Sequence, residues 1–213
     1  LLPYYYTVKG YGEEEIIIQK SRFIAHVNRA ETEEQAQQFI ADIKKRNWNA
    51  THNCSAYMIG EKDQIQKAND DGEPSGTAGL PILEVLKKRG LKDTVVVVTR
   101  YFGGIKLGTG GLIRAYGKSA SEGINAAEVV ERRLMQIMEA SLDYTWLGKV
   151  ENELRSSVYT IKDIHYLDKV TVETFVEESQ KEDFTNWMTE LTNGQAQIKE
   201  GSLLYQEKVV KSL

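Results

Sequence analysis

The amino-acid sequence predicts an α+β protein built as two domains, and three observations predict it. Strand-like and helix-like periods alternate along the whole chain, with no apolar run of membrane-spanning length. The pattern restarts near Leu134 and runs strand, helix, strand, strand, helix, strand to the end. The charge balance breaks at the same place. Residues 1–133 carry 19 Lys+Arg against 17 Asp+Glu, net +2, while residues 134–213 carry 8 against 14, net −6. The expected domains are therefore 1–133 and 134–213.

The elements follow in order. "YTVKG" and "EEIIIQKSRFIAHV" read as strands meeting at the Gly10–Gly12 turn. "TEEQAQQFIADIKKR" reads as a helix: Thr32 and Gln35 form a capping box, and Ala36, Phe39, Ile40 and Ile43 its apolar face. "CSAYMIG" and "IQKAN" read as paired strands joined near "EKDQ". "DDGEPSGTAG" is a turn-rich loop, with Ser75 or Thr77 expected to cap the helix "LPILEVLKKRG", which Gly90 ends. "TVVVVT" is short and wholly β-branched, which suits a central strand. "GLIRAYGKSASEGINAA" continues as a helix of small residues fit for close packing on a sheet. In the second domain "LMQIMEASL", "VYTIKDIHY", "KVTVETFVE" and "GSLLYQEKVVKS" read as strands, with "TWLGKVENELRS" and "EDFTNWMTEL" as helices. That order is the order of a ferredoxin-like sandwich.

Composition narrows the function classes. Hydrophobic residues at 41% and charged residues at 27% are ordinary for a globular protein. "LLPYYYTVKG" lacks the regions of a signal peptide, and the single cysteine, Cys54, fits a reducing cytosol, so a cytoplasmic protein with no membrane association is expected. His26, His52 and His165 lie far apart, which argues against a His-rich metal site; no metal and no cofactor are expected.

One stretch stands out: "VVVVTRYFGGIKLGTGGLIRAYGK" places five glycines within nine residues beside a run of cations. Residues 87–118 hold eight Lys+Arg against Asp93 alone, net +7. A glycine loop between a strand and a helix is the setting of phosphate-binding loops, because free N–H groups and the helix dipole attract anions. Neither standard fingerprint fits. Gly108 is followed by Thr109-Gly110 where a Walker loop needs Lys and Ser/Thr, and Ile113 stands where a dinucleotide fold needs Gly or Ala. The remaining functional reading is a backbone that contacts an anion or nucleic acid, built from Arg100, Tyr101, Gly103, Gly104, Lys106, Gly108, Gly110, Arg114 and Lys118. The bland alternative is a tight crossover with solvated cations. Asp70, Asp71 and Glu73 form a possible second loop, able to hold Mg²⁺ or a proton, although turn chemistry explains them more simply. His52 and Cys54 share one side of a strand; with no third residue to orient them, burial is the expected reason.

On these residues the chain resembles a known family. "HNCSAYMIG", "NDDGEPSGTAGLPIL" and "VVVVTRYFGGIKLGTGGLIRAYG" are similar to the IMPACT family, in its bacterial two-domain form. The resemblance implies an N-terminal domain of ribosomal-protein type, like domain IV of elongation factor G. It also implies a ferredoxin-like C-terminal domain, like domain V of that factor. Eukaryotic members are associated with translational control through a stress-responsive kinase. They carry an extra N-terminal interaction domain not expected here, so that kinase role is not carried over. The resemblance brings no catalytic residues and points to Arg100–Gly111 and Asp70–Gly79 as the functional surface.

Two functions remain. The first is a non-enzymatic RNA- or ribosome-associated protein with a part in translation regulation, whose acidic C-terminal domain either faces a protein partner or is simply acidic. The alternative is an enzyme acting on a phosphorylated small molecule through the two loops. Convergence of those loops on one concave pocket, or their spread over a convex basic face, separates the two.

Overall fold

The computed structural model describes residues 1–211 as a mixed α+β chain with two five-stranded sheets and five α-helices. The chain divides into two compact units, residues 1–132 with the segment from Glu207, and residues 133–206.

In the first unit the strands are β1 (Tyr4–Val8), β2 (Gly12–Ile18), β3 (Ser21–Arg29), β4 (His52–Ile59), β5 (Ile65–Asn69) and β6 (Thr94–Tyr101). Its helices are α1 (Glu33–Arg46), α2 (Gly79–Lys88) and α3 (Gly108–Ala126). The main sheet has the order β2-β3-β6-β4-β5, antiparallel throughout. β6 is the central strand, and its valines show why no alternation is visible in the sequence. Val96 and Val98 pack beneath α2 and α3 with Phe23, Ala56 and Tyr116, while Val95 packs toward α1 with Ala36 and Tyr57. Both faces are covered, so Val95 to Val98 are apolar without a break. Among the buried residues of α3, Ala115, Ser119, Ala120 and Gly123 are small and let the helix lie close to the strands.

The α1 cap forms as its sequence implies. Thr32 Oγ1 accepts from Gln35 N, but the Gln35 side chain accepts from Glu31 N, one residue before the cap, so half of the expected capping box forms. Two local expectations are corrected. The run "EEIIIQKSRFIAHV" is two strands, because Gln19 and Lys20 both take positive φ, 46° and 66°, and close a two-residue hairpin. Such turns usually announce themselves with Asn-Gly or Asp-Gly, and Gln-Lys gives no such signal. β1 accordingly does not pair with β2; Lys9 N donates instead to Glu128 O, next to the strand that follows α3. The second correction is the cap of α2. Neither Ser75 nor Thr77 caps it, and Thr77 Oγ1 donates to Pro74 O.

The second unit draws on β7 (Val129–Leu142), α4 (Tyr144–Ser156), β8 (Thr160–Tyr166), β9 (Val170–Val176), a 3₁₀ turn, α5 (Lys181–Leu191) and β10 (Gln197–Val209). Leu134, where the pattern restarts, lies inside β7. The second sheet has the order β1-β7-β9-β8, with β10 also paired to β7, so that the strands of this unit alone run β10-β7-β9-β8. β9 alternates buried and half-buried residues, as a sheet covered on one face must. Its inward residues Val170, Val172 and Val176 meet Val150 and Leu154 of α4 and Phe184 and Met188 of α5. From Glu207 the last strand belongs to the first unit, where Glu207 pairs with Arg29 at 2.7 Å and Arg132 at 3.2 Å.

Among the described residues, no helix is long and apolar enough to cross a membrane.

Candidate functional site: a glycine loop and an acidic loop around one cavity

The glycine loop leaves the end of β6 and enters α3, so its two ends are set by the central strand and by the longest helix. Gly104 and Gly108 hold φ of 85° and 70°, a region other residues enter at a cost. Gly103 passes so close to Lys20 that a Cβ would sit 2.1 Å from backbone atoms. Gly110 and Gly111 lie in the first turn of α3, where no side chain caps the free N–H groups.

The cations of this stretch divide into two groups. Arg100 is 5% exposed and donates from Nη1 to Glu73 Oε1 at 2.6 Å, with its guanidinium between the Phe23 and Phe102 rings. It is therefore not an outward contact, contrary to its expected place beside the other cations. Lys92 pairs with Asp63, and Arg89 donates to Ser121 and Asn125. Lys106, Arg114 and Lys118 are exposed and make no ion pair among the described residues. Arg114 and Lys118, four residues apart, share one side of α3. Tyr101 is fixed rather than free: its hydroxyl donates to Asn47, and Arg22 lies over its ring. Phe102, by contrast, is 47% exposed.

The acidic loop is held from within. Asp70 accepts from Gly76, Ala78 and Gly79 N, and so performs the capping expected of Ser75 or Thr77. Burial opposes ionisation there, but the three N–H groups outweigh it and lower the carboxyl's pKa. Asp71 bridges Lys44 and the Asn53 N–H. Glu73, buried, accepts from Arg100 and from the Tyr116 hydroxyl at 2.7 Å. Burial first, then the neighbouring Cys54 and Glu73, raise the Tyr116 hydroxyl's pKa, which keeps it a neutral donor. Each carboxylate has its own partners, and among the described residues no three His, Cys, Asp or Glu side chains are grouped to hold a metal.

His52 and Cys54 do share one side of β4, and both pin the acidic loop. His52 Nδ1 meets Asp71 O at 2.9 Å; a carbonyl only accepts, so Nδ1 carries the hydrogen. Its Nε2 faces Glu73 Oε2 at 3.7 Å. Cys54 Sγ donates to Asp70 O, and burial pushes its pKa up to about 12, so it is no nucleophile at neutral pH. Sequence reading assigned His52 no part in a site. β4 pairs with β6 so that His52 stands opposite Arg100, and only that register brings it here.

The two loops converge. Glu73 and Pro74 from one, and Phe102 with 106–109 from the other, line a cavity of about 460 Å³ together with His52 and Arg100. Lys106 is at this cavity; Arg114 and Lys118 are not among its lining residues.

Residues 19–124 match the Impact N-terminal domain, and residues 141–195 match a domain of unknown function, DUF1949. The chain is 67% identical over 213 residues to IMPACT family member YvyE of Bacillus subtilis, covering all of this chain and 98% of that one. It is 31% identical to IMPACT family member YigZ of Escherichia coli, over 85% of this chain and 90% of that one. Protein IMPACT of Mus musculus is 37% identical across 42% of this chain and 29% of its own length. A crystal structure titled as a hypothetical protein superposes with a TM-score of 0.60 at 27% identity, covering 95% of this chain and 99% of the other.

Proposed function

The chain belongs to the IMPACT family, and on that premise we propose that it is a non-enzymatic RNA- or ribosome-binding protein that acts in translation regulation. The observation that carries this reading is the set of unpaired, exposed cations Lys106, Arg114 and Lys118 beside an uncapped helix N-terminus and the exposed ring of Phe102. Cations held off any partner neutralise phosphates and release counterions, and an exposed ring offers a base a stacking surface. The contacts are to the backbone and position the RNA without reading its sequence. The first unit is a domain of ribosomal-protein type, like domain IV of elongation factor G. The order β10-β7-β9-β8 supports a ferredoxin-like sandwich in the second unit, whose acidic surface suits a protein partner rather than nucleic acid.

The enzyme reading draws on the convergence of the two loops. Against it, all three carboxylates are engaged and Cys54 is neutral, so no free nucleophile or base among them faces the cavity.

The test is salt dependence. Three phosphate contacts give a slope of log K against log salt near −2 to −3, at roughly 0.7 to 0.9 per phosphate. Fluorescence anisotropy with a labelled structured RNA from about 50 to 200 mM salt reads it, with affinity of about micromolar or weaker. Absence of binding at the low end of that range would reject the reading.

A further inference from the structure

We propose that the cavity between the two loops binds a nucleoside monophosphate, either free or as the phosphorylated end of an RNA strand. The site overlaps the RNA-binding face at Phe102, Lys106 and the first turn of α3, while Arg114 and Lys118 lie outside its lining.

Its volume, about 460 Å³, lies in the range of small-ligand sites, roughly 300 to 1,000 Å³. One wall is electropositive. Gly108 and Thr109 open α3 there with no side-chain cap, so the helix presents free N–H groups and its positive end. Lys106, exposed, adds a charge. Arg100 is a second, independent feature: it lines the cavity while almost wholly buried, and its Nε has no partner among the described residues. Its Nη2 reaches only Ser21 Oγ, at 3.5 Å. Glu73, the carboxylate at the cavity, offsets the charge of Arg100 and accepts from Tyr116, which leaves Lys106 and the helix N-terminus as the uncompensated positive features there.

The other wall is apolar, made by Pro74, Leu107, Leu112 and Phe102. Phe102 already stacks with the Arg100 guanidinium, 5.4 Å from its ring centroid, yet remains about half exposed. An anion site next to an open aromatic ring matches a phosphate joined to a flat base better than a sugar phosphate or a simple carboxylate. Binding is the whole of the proposal; no bond is made or broken.

The test is isothermal titration of the full chain with inorganic phosphate, adenosine, adenosine monophosphate and two short RNAs differing only in a 5′-phosphate or 5′-hydroxyl end. Adenosine monophosphate is expected to bind about tenfold or more tightly than adenosine. Arg100 is left intact because its loss would break a buried ion pair; Lys106 and Phe102 are exposed and can be changed without that risk. Lys106→Gln should weaken both phosphate and the nucleotide about tenfold, and Lys45→Gln, on α1, should change neither. Phe102→Leu should weaken the nucleotide about five- to tenfold and leave inorganic phosphate unchanged. Equal affinity for the nucleotide and the phosphorylated RNA identifies a free nucleotide as ligand. Phosphorylated RNA binding about tenfold more tightly than either the nucleotide or the hydroxyl RNA identifies the strand end. The proposal is overturned if the phosphate adds nothing to adenosine or to the RNA, or if both cavity variants bind as the parent does. Loss of hydroxyl-RNA binding alone, with nucleotide binding kept, would remove the RNA face and leave this site standing.

Discussion

The acidic loop and the glycine loop each crowd one kind of charge into a short stretch, and the fold uses them in opposite ways. Asp70, Asp71 and Glu73 are all turned inward to N–H groups, Lys44, Arg100 and Tyr116. Among the described residues, Lys106, Arg114 and Lys118 have no such partners, and they are exposed. A charge that the chain itself satisfies serves stability, whereas one left unsatisfied on a rigid backbone is available to something else. Arg100 shows that the division does not follow the sequence: it belongs to the glycine loop's motif and to the acidic loop's network.

That contrast can be broken by measuring stability. The largest effect is expected for Glu73→Gln, which leaves Arg100 buried without its counter-charge. A loss of about 3 to 5 kcal/mol should appear in chemical denaturation followed in the first unit. If the variant is as stable as the parent, the acidic loop does not hold the fold. Asp70→Ala should cost about 0.5 to 2 kcal/mol by removing the cap of α2. It also carries a pH signature. Because the folded pKa is lowered, the stability Asp70 gives is full above its ordinary value of 3.8 and disappears as pH falls through the folded value. The variant should therefore lose part of the parent's acid sensitivity, in a window below about pH 4. Gly104→Ala and Gly108→Ala should each cost about 1 kcal/mol because of their positive φ, while Gly110→Ala, inside the helix and at negative φ, should not. Smallest of all, Lys106→Gln, Arg114→Gln and Lys118→Gln should each stay within about 0.5 kcal/mol of the parent.

Much of the fold was legible because local periodicity carries it: the α1 N-cap, the pairing of β4 with β5, the central valine strand and the order of the second unit all follow from spacing along the chain. The Gln19-Lys20 turn was hidden because its conformation is imposed on residues that do not favour it. The candidate site was legible only as two loops. That they meet and that His52 stands across from Arg100 depend on strand register between distant segments, while Asp70, not Ser75 or Thr77, caps α2 by a turn within its own loop. Charge counting also misled at Arg100, since a sum over 87–118 cannot separate buried cations from free ones.

The most direct measurement places both properties on one protein, the triple variant Lys106→Gln, Arg114→Gln, Lys118→Gln. Its unfolding midpoint and its RNA affinity across about 50 to 200 mM salt are read from the same preparation. An unchanged midpoint and a salt slope flattened by about two to three units, with every RNA weakened alike, are expected. A folded triple variant that keeps the parent's slope would contradict that expectation.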